Sequence, residues 1–187
     1  MQVQFKTLLK SHPDYWNRPV AASGDSNAKL IIVGLAPGMH GANRTGIPFT
    51  GDSSGDLLFK TLRKLGIVNM VRITNVVKCL PIKNAPSAVE IRNCQQFLES
   101  EISMSLHGDA KIYFALGGVA HRNIVKIKGL RQSSFPFSHG AIHELTRGEW
   151  LVDSYHCSRY NTQTKRLTEA MFLAAMGSAA RLSGLIK

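Results

Sequence analysis

Short blocks of consecutive apolar residues alternate along this chain with longer stretches in which apolar residues recur every three or four positions. The first block, residues 29–35, is an apolar run of Leu30, Ile31, Ile32 and Val33 ending at Gly34. It predicts a central strand buried on both faces. A long polar, glycine-rich loop follows, from residue 36 to about 53. Leu57, Leu58, Thr61, Leu62 and Leu65 then recur at helical spacing, and Gly66 stands where such a helix stops. Residues 71–77 predict a second strand, followed by a loop punctuated by prolines. Ser87 and Glu90 form a capping box, opening a helix expected to run to about Leu106.

Residues 111–116 predict a third strand, and Gly117-Gly118 leads into another helix. The stretch 130–140 reads as loop. Residues 141–145 and 150–155 predict further strands about Arg147-Gly148, and a last helix begins near Leu167 and continues past Met176. Strands alternating with helices predict an α/β fold, a three-layer α/β/α sandwich around a largely parallel sheet. No repeat or linker interrupts residues 1–187, which read as one domain. Ligands of such folds bind beyond the carboxyl ends of the strands, where the loops after Leu35, Val77 and Tyr155 begin.

Charge narrows the class. Lys and Arg number 23 against 12 acidic residues, a formal net charge of +11. That surplus attracts polyanions, nucleic acid first and an acidic membrane surface second. No stretch reaches the ~20 apolar residues of a membrane span. The first ten residues lack a signal-peptide core, so a cytoplasmic location and no membrane partner are expected. The three cysteines are too few for a secreted disulfide framework.

The first loop carries glycines at 34, 38, 41, 46 and 51, which let backbone approach a ligand closely. Its spacing is neither that of a dinucleotide-binding turn nor that of a P-loop, which ends in Gly-Lys-Ser/Thr. Among those glycines stand His40, Asn43, Phe49 and Asp52. The segment 73–79 contains Asn75, and the segment 154–167 contains His156 followed by Arg159, Tyr160, Asn161, Gln163, Lys165 and Arg166.

These three segments resemble the motifs of the uracil-DNA glycosylase superfamily, in the form carried by its type-B, or family 5, enzymes. They stand in family order, and the resemblance extends from about Tyr15 to about Phe172. It implies a monofunctional glycosylase that flips uracil, and other deaminated bases such as hypoxanthine, out of DNA and leaves an abasic site. Gly34, Leu35, Ala36, Pro37, Gly38 and His40 would line the base pocket. Phe49 corresponds to the aromatic that stacks on the extruded base. Asn75 corresponds to the asparagine that reads uracil, since a carboxamide offers both a donor and an acceptor. His156 corresponds to the histidine near uracil O2, where negative charge develops as the glycosidic bond breaks.

Other branches of the superfamily place a carboxylate or amide near the Ala-Pro step to orient water. Leu35 and Ala36 occupy those positions here, and the resemblance points instead to Asp52, with Asn43 as the second candidate. Asp52 reads equally as the N-cap of the following helix, and the two roles are compatible. Residues 159–166 correspond to the loop that braces the duplex. Arg159, Lys165 and Arg166 can meet phosphates, and Tyr160 or Gln163 can fill the space left by the base. The turn at His139-Gly140 resembles a family segment that binds. Lys78 leaves a Schiff-base lyase step open.

Many relatives hold an iron–sulfur cluster on four cysteines. Cys79 and Cys94 match two of them, but no cysteine precedes Tyr15 and Cys157 belongs to the third motif. Half a ligand set predicts an enzyme without cofactor or metal, the alternative being a cluster completed by an N-terminal extension or shared between chains. The expected partner is DNA containing uracil or another deaminated base, met by a monomer. Two other readings keep the same fold. One is a non-catalytic sensor of lesions or abasic sites, favoured by the apolar Leu35-Ala36; the other is a small nucleotide-binding module.

Overall fold

The computed structural model describes residues 2–82, 85–104 and 111–187. Four strands run parallel: β2 (Leu30–Gly34), β3 (Val71–Asn75), β4 (Lys111–Leu116) and β6 (Glu149–Ser154). The two-residue β1 (Ser23–Gly24) and β5 (Ile142–Thr146) close the edges in antiparallel pairing. Among the described residues the order is β1-β3-β2-β4-β6-β5. The chain therefore winds from β2 outward to β3 and then returns to the other side of β2 to lay down β4. Such a reversal opens a crevice at the carboxyl ends of the strands.

Alternation along each strand divides the core in two. Leu30 and Ile32 of β2 and Ile112, Phe114 and Leu116 of β4 pack with α3 (Ser53–Leu65) and α7 (Glu169–Leu182). Ile31, Val33, Tyr113 and Ala115 face α4 (Ala88–Met104) and α5 (Gly118–Ile127) instead. The three-layer α/β/α arrangement follows directly, because strands apolar on both faces need cover on both. Leu58 and Leu62, the helically spaced leucines, are fully buried, each worth about 1.5–3 kcal/mol over exposure. Phe172 of α7 meets Phe114 edge-on, with centroids 5.9 Å apart.

Several expected boundaries move. The second strand ends at Asn75 rather than 77, although Val76 and Val77 still donate to the Gly34 and Leu35 carbonyls at 2.9 Å. The first loop contains the short α2 (Ala42–Thr45), and the expected loop at 159–166 begins with α6 (Arg159–Gln163), capped by Ser158. The last helix starts at Glu169 because Thr168 caps it through the Met171 N–H. An unexpected helix, α1 (Gln2–Ser11), precedes the sheet. The expected end of α4 near Leu106 lies outside the described residues.

Candidate active site

The loops leaving β2, β3 and β6 converge on a cavity of about 360 Å³, a size suited to a small-molecule ligand. Leu35, Ala36, Pro37, Gly38, Phe49 and Asp52 line it from the first loop, Asn75 from the end of β3, and His156 from the loop after β6. Eight residues read from the sequence thus share one wall. Ala42, Ser54 and Ser158 complete the lining and were not anticipated. Ser158 is the N-cap of α6, a position where serine is favoured, and Ser54 lies in the first turn of α3.

Register builds the inner end of the cavity. Gly34 pairs with Asn75 across β2 and β3. A Cβ on Gly34 would collide with Asn75 Oδ1 and stand 2.5 Å from Phe49 Cζ. Glycine is needed there because two cavity side chains rest on its backbone. Asn75 is buried, and its Oδ1 has no hydrogen-bond partner among the described residues. An unpaired buried carboxamide oxygen is costly unless a ligand supplies the donor.

Phe49 is buried with φ at 56°, a left-handed backbone unusual for a bulky residue. Strain of this kind gathers at functional sites. The first turn of α3 holds it there, since Gly55 lies so near the Phe49 carbonyl that a Cβ would overlap it. The Phe49 and His156 rings stand 6.1 Å apart at 31°, across the cavity.

Asp52 caps α3 and also lines the cavity, a placement compatible with both readings of it. Its Oδ1 accepts from the Gly55 N–H at 3.0 Å and caps α3, while Oδ2 lies toward Gly38 and Gly41. A Cβ on Gly41 would strike that oxygen, so the glycines leave room for a carboxylate that also faces the cavity.

His156 is fixed by its neighbours. Asn161 Nδ2 donates to its carbonyl at 2.8 Å. On the preceding residue, the Tyr155 N–H donates to His139 Nδ1 at 3.2 Å, and those two rings stack. Burial pushes the His156 pKa below the ordinary histidine value, and the Asp52 charge opposes this in part. Next in sequence, the Cys157 thiol points to the Ser54 carbonyl at 3.4 Å, and burial lifts its pKa to about 12.

Other candidates lie elsewhere. His40 is exposed and bonded to Tyr15 Oη at 3.0 Å, lining a neighbouring groove rather than this cavity. Asn43 is fully buried and donates to Asn17 Oδ1 at 2.9 Å. It braces the first loop against the N-terminal segment and is not among the cavity's lining residues, which leaves Asp52 as the water-positioning candidate. Lys78 is sequestered as well. Its Nζ donates to Thr74 Oγ1 and the Asn75 carbonyl, both at 2.7 Å, and to Glu101 Oε2 at 2.5 Å. Burial lowers its pKa despite the pull of Glu101. Among the described residues no amine lines the cavity for the lyase step left open in the sequence, and Lys78 instead holds the Asn75 backbone from behind.

At the rim, Arg159, Tyr160, Gln163, Lys165 and Arg166 are exposed, while Asn161 is turned inward to His156. Arg166 lies over the Tyr155 ring, 4.6 Å from its centroid. Lys165 has φ at 56°. Cys79 and Cys94 are buried free thiols, and Cys94 Sγ accepts from the Lys78 N–H at 3.5 Å. Cys157 is committed to Ser54, so the described residues do not fit a four-thiolate cluster, and no step of the reaction is assigned to one.

Residues 21–179 match the model of the uracil DNA glycosylase superfamily. The chain is 43% identical to the type-5 uracil-DNA glycosylase of Thermus thermophilus, over 96% of this chain and 87% of that protein. It is 39% identical to the type-5 uracil-DNA glycosylase of Mycobacterium leprae, over 91% of this chain and 81% of that one. A type-4 uracil-DNA glycosylase of Pyrobaculum aerophilum is 33% identical over 63% of this chain and 58% of its own length.

Proposed function

This chain belongs to the uracil-DNA glycosylase superfamily, and from that premise we propose that it hydrolyses the N-glycosidic bond of uracil in DNA and leaves an abasic site. The observation that carries this reading is the unpaired Oδ1 of Asn75, buried in a cavity whose wall includes the Phe49 ring. Uracil presents an N–H beside a carbonyl, and a carboxamide can pair with both. Such a site needs its ligand extruded from the duplex, with Phe49 returning some of the lost stacking energy.

The chemistry then follows from the two groups flanking that base. A water oxygen forms a bond to the sugar C1′ as the C1′–N1 bond breaks, and the electron pair leaves with the base. His156, kept neutral by burial, donates to the base oxygen O2 on which the charge gathers, a contact that strengthens in the transition state. Asp52 faces the sugar side, where its negative charge stabilises the oxocarbenium-like centre and its oxygen receives the water's proton.

The exposed Arg159, Lys165 and Arg166, with the net charge of +11, supply the sequence-independent hold on phosphates. Tyr160 and Gln163 stand ready at the rim to occupy the gap in the duplex. Hypoxanthine carries the same N–H and carbonyl edge as uracil and belongs to the proposed substrate range. A single chain carries every group that this reading calls on, which supports a monomer as the working species.

The deciding experiment incubates purified protein with duplexes bearing one uracil or one hypoxanthine, then cleaves abasic sites with alkali. Strand breaks that require both protein and alkali are expected. Breaks without alkali would point to a lyase, and tight lesion binding with no breaks at all would leave a sensor.

A further inference from the structure

Outside the cavity, one buried cluster of side chains is chemically incomplete. His121 on α5, His143 on β5 and Asp153 on β6 bring one ring nitrogen each and a carboxylate oxygen within 4.8 Å of one another. Strand alternation puts them on one face. Asp153 is on the side of β6 that Leu151 fills two residues earlier, and His143 pairs in register with Leu151. A carboxylate and two imidazoles therefore sit where the pattern calls for apolar side chains. Asp153 and His121 are almost wholly buried, and the rings of Phe135 and Phe137 pack against the two histidines.

Hydrogen bonding defines what is missing. His121 Nε2 lies 2.8 Å from the Phe135 carbonyl. A carbonyl only accepts, so that nitrogen carries a proton, and in the neutral ring Nδ1 presents its lone pair. Nδ1 stands 2.8 Å from Asp153 Oδ1, and two electron-rich atoms at that distance need a cation between them. A proton there would serve Oδ1 alone. Asp153 Oδ2 and His143 Nε2 face each other at 3.4 Å, and both are buried without a hydrogen-bond partner among the described residues.

We propose that His121 Nδ1, His143 Nε2 and the Asp153 carboxylate hold a divalent transition-metal ion of the zinc class. Two imidazoles and a carboxylate are an ordinary donor set for such an ion. The Nε2–H bond to a backbone carbonyl is the orienting contact that metal-bound histidines make. An ion there answers both unpaired atoms at once. It ties α5, β5 and β6 together three residues before His156, and shares no residue with the cavity lining. Its role is to stiffen the strand end that presents His156, whatever base the enzyme removes.

The test is the metal content of untagged full-length protein, purified without chelators and measured by plasma mass spectrometry. About one zinc-class ion per chain is expected, because an ion bound only to the folded state survives purification and raises the unfolding temperature. His143→Gln should retain less than about a tenth of that content, whereas Cys94→Ser should keep it, which separates this site from the thiols. Chelator should lower the melting temperature of the wild type and leave that of His143→Gln unmoved. Should His143→Gln fail to fold, titrating Zn²⁺ into chelator-treated wild type decides, with uptake of one equivalent and a rise in melting temperature expected. Wild type that purifies metal-free and neither binds nor is stabilised by added Zn²⁺ would overturn the proposal and leave a buried imidazolium–carboxylate pair. Metal that is lost from Cys94→Ser but kept by His143→Gln would overturn it equally.

Discussion

Gly34 and Asn75 stand opposite each other at the carboxyl ends of β2 and β3, so close that a single methyl on residue 34 would stand 2.4 Å from the Asn75 carboxamide oxygen. The same methyl would press on the Phe49 ring. Gly34→Ala should therefore fold with the sheet intact but displace both side chains that hold the base. Misplacement of about an ångström is enough to lower the rate by about 10²-fold. Single-turnover excision of uracil is the measurement, with binding to undamaged duplex expected to stay unchanged.

Asn75→Asp probes the pairing itself. The exchange replaces an amide donor with an acceptor facing a carbonyl, leaving buried polar groups mismatched at a cost of ~1–3 kcal/mol or more. Uracil excision should fall by well over about tenfold, while affinity for undamaged DNA stays nearly constant. Equal activity in the variant would remove Asn75 from base recognition.

The cavity was legible in the sequence to the extent that its residues sit in segments with unusual local chemistry. Phe49 and Asp52 lie among glycines, Asn75 ends an apolar strand, and His156 is flanked by Tyr155 and Cys157. Asn43 and His40 share the same loop and the same kind of surroundings, yet the structure turns one to Asn17 and the other to Tyr15. Loop residues have no periodicity to say which way they point, so only tertiary contacts could separate these from the lining residues. The cluster of His121, His143 and Asp153 was invisible for a related reason. Its members are 22 and 10 positions apart on three elements, and each alone reads as an occasional polar residue in an apolar pattern. The strands, in contrast, were readable because burial on both faces leaves a continuous apolar run.

Lys78 and Glu101 form a buried ion pair behind the cavity, and the Lys78 ammonium also holds Thr74 and the Asn75 carbonyl. Removing one partner of such a pair leaves a desolvated charge with little to balance it, which costs about 3 kcal/mol or more. Glu101→Gln should lower the midpoint of urea unfolding accordingly. A surface pair makes a suitable control, because Lys60 and Glu169 are largely exposed, and Glu169→Gln should change stability little.

His156 couples stability to pH. Burial holds its pKa in the folded protein below the ordinary value, with Asp52 as the charged group opposing it. Between the folded and unfolded values the unfolded chain binds more protons, so stability rises with pH across that interval. The contribution is complete above about pH 6.5, the unfolded value, and is lost as pH falls through it toward the folded value. His139 shifts in the same direction, so the comparison must be with His156→Asn, which removes only one of the two. Denaturant unfolding from pH 8 to pH 5 should show wild type losing stability relative to that variant at the acid end. A difference that stays flat throughout would mean that His156 is not held neutral.

Asp52→Asn separates catalysis from capping. Asparagine is as good an N-cap as aspartate, so the bond to the Gly55 N–H and the start of α3 should survive, and thermal stability should change little. What the substitution removes is the negative charge at the cavity. Ground-state DNA is itself an anion, so losing that charge should leave affinity for uracil-containing duplex similar or slightly higher. The cationic sugar that needs the charge exists only at the transition state, so the whole effect should fall on the chemical step. A fall of about 10²-fold or more in the single-turnover rate is expected, in line with the loss of one preorganised electrostatic contact. A near-silent variant would reduce Asp52 to its capping bond and return the search for the water-positioning group to the rest of the lining.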